Sequence, residues 1–145
     1  MLFRSNGRIV FNDQKGFLVL VNADGTGLVR LAGTRANDDV IGAAFSPDGK
    51  QIAFNSEREG SKLLYSMPAN GGEPKQLTFH TDGCDLREWT PDGKGLLVGL
   101  GRDFSWMRET RAGRLAIIDA NERKAESVLF DDYGFDGVKI GRAHV

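Results

Sequence analysis

Six residues recur in this chain with nearly the same letters: Phe45-Ser46-Pro47-Asp48-Gly49-Lys50 and Trp89-Thr90-Pro91-Asp92-Gly93-Lys94. The second copy begins 44 residues after the first. Self-similarity at a period of roughly 20–50 residues marks an architecture of stacked supersecondary units, each unable to bury its apolar face alone. The motif itself shows what kind of unit. Pro47 and Pro91 preset φ, the Asp48-Gly49 and Asp92-Gly93 pairs then reverse the chain, and Phe45 and Trp89 bring a large aromatic into the turn. Such an aromatic can fill the wedge between neighbouring units.

The rest of the chain repeats the same grammar. Seven Asn-Gly or Asp-Gly pairs, beginning at residues 6, 24, 48, 70, 82, 92 and 136, supply positive-φ positions for tight hairpin turns. Between them lie short apolar runs rich in β-branched residues. Ile9–Phe11, Ile52–Phe54 and Leu96–Val98 follow a turn; Phe17–Val21, Leu63–Met67 and Leu115–Ile118 come next; Leu28–Leu31, Lys75–Thr78 and Ser127–Phe130 close each unit. Leu2-Phe3, Ala43–Phe45 and Arg87–Trp89 open them. No stretch sustains the i, i+3, i+4, i+7 pattern of an amphipathic helix. The expected fold is all-β: a partial β-propeller of about three four-stranded antiparallel blades, since blades of this kind take about 40–45 residues. The blades are placed at about 1–42, 43–86 and 87–133, with a fourth starting near residue 134. Propellers close with about 4–8 blades, so residues 1–138 are expected to form an incomplete ring. Its open apolar faces invite self-association.

The string FSPDGKQIAFNS, then LLYSMPANGGEPKQLT, then WTPDGKGLLV, resembles the WD40-like propeller repeat of TolB. The same repeat occurs in the N-terminal propellers of tricorn-type and prolyl-oligopeptidase-type serine peptidases. Arg102 to Ser105 and Leu129 to Gly134 make the chain most similar to the tricorn-type propeller. That resemblance implies a scaffold that binds or guides peptide or protein substrates for a peptidase domain downstream. The alternative it carries is a non-enzymatic protein-interaction propeller of the TolB type in an envelope complex. The downstream sequence separates the two. The resemblance implies a periplasmic or cytoplasmic setting, and the sequence does not choose between them.

The last six residues, Ile140-Gly141-Arg142-Ala143-His144-Val145, translate ATC GGA AGA GCA CAC GTC. That string lies within the start of a widely used short-read sequencing adapter, and a Lys139 codon AAG supplies the adapter's preceding bases. Residues 139–145 are therefore read as a non-native tail, and His144 enters no site.

Chemistry-bearing residues are few. His80 with Asp82, Cys84 and Asp85 has the elements of a metal cluster, but one short loop with no second Cys or nearby His makes a poor tetrahedral site. Cys84 alone permits no internal disulfide. No Gly-x-Ser-x-Gly elbow, phosphate-binding glycine loop or Asp-x-Asp-x-Asp calcium loop occurs. The expectation is no catalytic residue, no cofactor and no metal in this segment. Nineteen basic and 20 acidic residues nearly cancel, which argues against a nucleic-acid footprint. No apolar run approaches the about 20 residues of a membrane span.

One segment departs from the repeat. Residues 99–114 lengthen the link between the second and third strands of the third unit and hold Arg102, Phe104, Trp106, Arg108 and Arg111. Aromatic and Arg side chains are the types enriched at binding hot spots, and irregular insertions on rigid scaffolds often carry binding. These five are the candidate peptide or protein contacts, beside the loops 33–42 and 79–86. The other reading is an extended hairpin whose aromatics pack on a neighbouring blade.

Overall fold

The computed structural model describes residues 3–5, 7–31, 40–79, 83–101, 112–122, 125 and 127–133. Among the described residues, twelve strands form three four-stranded sheets. The first holds β1 (Phe3–Ser5), β2 (Arg8–Asn12), β3 (Leu18–Asn22) and β4 (Val29–Arg30). The second holds β5 (Ile41–Phe45), β6 (Gln51–Ser56), β7 (Leu63–Pro68) and β8 (Lys75–Gln76). The third holds β9 (Cys84–Trp89), β10 (Gly95–Gly101), β11 (Ala112–Asp119) and β12 (Ser127–Tyr133). Each is a meander in chain order with every pair antiparallel. No helix occurs among the described residues.

The first strands of successive sheets converge. β5 touches β1 and β2 on one side and β9 on the other, whereas among the described elements β4, β8 and β12 touch only their own sheets. The sheets therefore fan outward from an inner edge, as propeller blades do. Because side chains alternate across a strand, each middle sheet offers one face to the preceding blade and one to the next. Ile52, Phe54, Tyr65 and Met67 bury against Val10, Leu18, Leu20 and Leu31 of the first sheet. Ala44, Ala53 and Leu64 look the other way, onto Trp89, Leu96, Val98 and Ile118 of the third.

The strands differ from expectation at their ends. β9 starts at Cys84 rather than Arg87, because a bulge at Arg87 lets pairing continue with Cys84 opposite Leu100. A matching irregularity at Gly42, with φ of 67°, extends β5 back to Ile41. Bulges accommodate one extra residue without ending the ladder. β4 and β8 pair over only two residues each. In the third sheet the hairpin reaches further than expected: Gly101 pairs with Gly113 and Leu100 with Arg114. The insertion between β10 and β11 is thus 102–111, which lies outside the described residues, as does 134–145.

Candidate interaction surface

The repeated motif builds the turn between the first and second strands of a blade. In the second blade Ser46 Oγ donates to Asp48 Oδ1 at 2.6 Å, and the carboxylate also accepts from the Lys50 amide at 3.0 Å. The Gln51 amide donates back to Ser46 Oγ at 3.0 Å. The third blade repeats this with Thr90, Asp92, Lys94 and Gly95 at 2.6, 3.0 and 2.9 Å. Gly49 and Gly93 take φ of 72° and 71°, a conformation that strains any residue with a Cβ. The Ser46 and Thr90 hydroxyls, followed by the Lys50 and Lys94 amides, hold the Asp48 and Asp92 carboxyls below the usual aspartate range. Pro47, Pro91, Asp48 and Asp92 are exposed. A Cβ on Gly93 would lie 3.6 Å from Pro47 Cδ, so adjacent turns sit side by side.

Phe45 and Trp89 leave the turn and enter the two inter-blade cores, with 8% and 7% of their surface exposed. Arg8 of the first blade lies 5.4 Å above the Phe45 ring and donates to the Gly49 carbonyl at 3.0 Å. Trp89 Nε1 donates to the Ala44 carbonyl at 3.0 Å. Asn55 is a residue that the sequence did not single out. Its Nδ2 donates to the Cys84 carbonyl at 3.0 Å, and its Oδ1 accepts from the Leu86 amide at 2.7 Å. This buried amide thus takes the place of a neighbouring strand along β9. The signal available in the sequence was one Asn beside Ser56 at the end of an apolar strand.

Cys84 is buried under the same end of the second blade, with Thr78 Oγ1 at 3.5 Å from its Sγ. Burial pushes the thiol up despite that contact, so at neutral pH it is a protonated filler, not a nucleophile. His80 and Asp82 lie outside the described residues. Among the described residues no three His, Cys, Asp or Glu side chains converge as metal ligands.

The meander puts the links between second and third strands, and the links between blades, at one end of the fan. The motif turns lie at the other. Arg102, Phe104, Trp106, Arg108 and Arg111 lie outside the described residues, in the sequence between β10 and β11. Two large apolar side chains stand exposed at that end of the second blade: Ile41, 45% exposed, and Phe79, 51% exposed. The Lys62 ammonium pairs with Asp85 there, and the Cys84 amide donates to the Lys62 carbonyl at 2.8 Å. Among the described residues no helix is long and apolar enough to cross a membrane.

Among solved structures, TolB from Acinetobacter baumannii superposes with a TM-score of 0.69 at 23% identity, over 90% of this chain and 32% of that one. The three sheets are β-propeller blades. The β-propeller domain of the Trilobed protease from Pyrococcus furiosus matches with a TM-score of 0.58 at 17% identity, over 94% of this chain and 42% of that one. No family model matches the chain. Relatives also resemble it in sequence, among them two named for peptidases. One is named uncharacterized peptidase YuxL, from Bacillus subtilis strain 168, 46% identical over 55 residues, 37% of this chain and 8% of the relative. The other is tricorn protease homolog 1 of Streptomyces coelicolor, 35% identical over 96 residues, 61% of this chain and 9% of the relative. The chain thus matches under a tenth of the length of either.

Proposed function

We propose that these blades belong to a propeller scaffold that binds or guides peptide or protein substrates for a peptidase domain downstream. The observation that carries this reading is the 35% identity over 96 residues with a tricorn protease homologue. In this reading the blades do no chemistry. Their inter-strand loops offer the contact surface, with Arg102, Phe104, Trp106, Arg108 and Arg111 on one of them. A non-enzymatic interaction propeller is the second reading, favoured by the match to TolB over 90% of the chain.

The deciding experiment is long-read sequencing of the source DNA across the codon for Lys139. A frame that runs on into a peptidase domain supports the first reading. A frame that ends after further blades overturns it in favour of the second. Residues 139–145 are expected to be absent from the genomic frame, and a genomic Ile140–Val145 followed by a stop would refute the adapter origin.

Self-association of the 145-residue chain belongs to the same proposal. Ile9, Phe11 and Val21 are only half-buried on the far face of the first sheet. The matching face of the second sheet, with Ile52, Phe54, Tyr65 and Met67, is buried. No described element packs on that far face. Sedimentation of the chain over a range of concentrations should show assembly, and a monomer throughout would refute it.

A further inference from the structure

The turn that leaves the third strand is built alike in every blade. Arg8 pairs with Asn22, Gln51 with Pro68 and Gly95 with Asp119. An alanine follows in each case, and its amide donates back to the carbonyl of Gly7, Lys50 or Lys94, at 2.7, 2.8 and 2.9 Å. The next two residues are Asp24-Gly25 in the first blade, Asn70-Gly71 in the second and Asn121-Glu122 in the third. Of the three turns, only the second joins an amide side chain to a glycine.

The other two turns hold this place with side-chain bonds. Asp24 Oδ1 accepts from the Thr26 amide at 2.9 Å and from its hydroxyl at 2.6 Å. Asp119 Oδ1 accepts from the amides of Asn121 and Glu122 at 2.9 and 2.8 Å. In the second blade Pro68 stands where Asp119 does, and Gly72 stands where Thr26 does, so neither device exists. Asn70 is exposed, and among the described residues no hydrogen bond holds its side chain. The Gly71 amide donates to the Pro68 carbonyl at 3.0 Å. Gly71 and Gly72 take φ of 97° and 143° and carry no Cβ to crowd a neighbouring group. The free carboxamide and the amide nitrogen beside it are thus separated by one turn bond. An internal nucleophile held next to its target reacts far faster than a dissolved one, and asparagine is a thermolabile residue.

We propose that Asn70 is a site of spontaneous deamidation, closed through the backbone nitrogen of Gly71. Once the bond to Pro68 opens, that nitrogen forms a bond to Asn70 Cγ. The bond from Cγ to Nδ2 breaks, and Nδ2 leaves as ammonia with the proton that Gly71 gave up. The product is a cyclic imide. Water then adds to one of its two carbonyls and breaks that carbonyl's bond to nitrogen. Opening at Cγ leaves aspartate at position 70, the residue that the first blade carries there as Asp24. Opening at the main-chain carbonyl leaves isoaspartate, whose backbone runs through the side chain and is longer by one carbon. That lengthening falls between the Ala69 tie and β8, which pairs with β7 only at Tyr65–Gln76 and Ser66–Lys75.

The test is incubation of the folded chain in mildly alkaline buffer, followed by peptide mapping with mass spectrometry that separates isoaspartate from aspartate. The expected result is that Asn70 loses its amide about tenfold or more faster than Asn12, Asn22, Asn55 or Asn121, with both acids formed. Asn70→Gln would need a larger ring and should keep its amide over the same period. Amide loss at Asn70 no faster than at Asn121 would overturn the proposal. So would aspartate without isoaspartate, which would mean direct attack by water, or loss from Asn70→Gln at the parent's rate.

Discussion

The two inter-blade junctions solve one problem with different materials. Between the first and second blades, large side chains meet large ones: Val10, Leu18 and Leu20 against Phe45, Ile52, Phe54 and Tyr65. Phe54 and Tyr65 stack with centroids 5.8 Å apart, and Arg58 closes over Tyr65 at 4.7 Å. Between the second and third blades, Ala44 and Ala53 make room for Trp89. Directed bonds are more numerous there, between Asn55 and both Cys84 and Leu86, from Trp89 to Ala44, and from Lys75 Nζ to the Asn121 carbonyl at 2.8 Å, against the one from Arg8 to Gly49 described at the first junction. Apolar contact scales with area and tolerates sliding, whereas buried hydrogen bonds fix register and penalise any loss of a partner. The first junction should therefore yield gradually to side-chain truncation, and the second should fail at particular atoms.

Trp89→Ala should break the second junction most severely, costing about 3–5 kcal/mol because the surrounding alanines cannot collapse into the space. A urea titration that shows less than about 1 kcal/mol would remove Trp89 from the core. Asn55→Ala should come next, at about 2–3 kcal/mol, since it leaves the Cys84 carbonyl and Leu86 amide without that partner. Asn12 occupies the same strand position in the first blade but is exposed. Asn12→Ala should shift the same titration by under about 0.5 kcal/mol, and equal effects at the two positions would dissolve the contrast between the junctions. Trp89→Phe isolates the indole bond and should cost about 1–2 kcal/mol; a neutral result would assign the Trp89 effect to volume alone.

The smallest effect tests what the junctions share. Asp48 and Asp92 titrate below the unfolded aspartate value, held mainly by Ser46 and Thr90. A depressed folded-state value stabilises the fold above the unfolded value of about 3.9 and is lost as pH falls through the folded one. Denaturation midpoints measured between pH 6 and pH 3 should fall with acid. Ser46→Ala and Thr90→Ala should flatten that fall to the same extent, because the two turns are alike. Unequal flattening would mean that the turns take part in the difference between the junctions.

The meander was legible because its signals are local. Asp-Gly turns and short alternating runs specify hairpins within a dozen residues, and the strands expected at Ile52–Phe54, Leu63–Met67 and Leu96–Val98 lie inside β6, β7 and β10. The strand ends were harder. Gly42 and Arg87 let pairing continue through an extra residue, and nothing in composition marks a bulge. The candidate surface was read from an insertion. Ile41 and Phe79 fall in the loops 33–42 and 79–86 that the sequence set beside the insertion, but nothing in it marked either side chain as exposed, because exposure depends on what the neighbouring blades leave uncovered.

By itself, the sequence determined the unit: four strands, a Pro-Asp-Gly turn, and an aromatic entering the core. Those features rest on backbone geometry and contacts a few residues apart. Only the tertiary structure decided which face of each sheet meets which neighbour, that alanines at 44 and 53 accommodate Trp89, and that Asn55 holds a strand 31 residues away. Period-two alternation assigns residues to two faces but does not name the partner of either. That choice is made when side-chain volumes and unpaired backbone groups from distant parts of the chain are brought together.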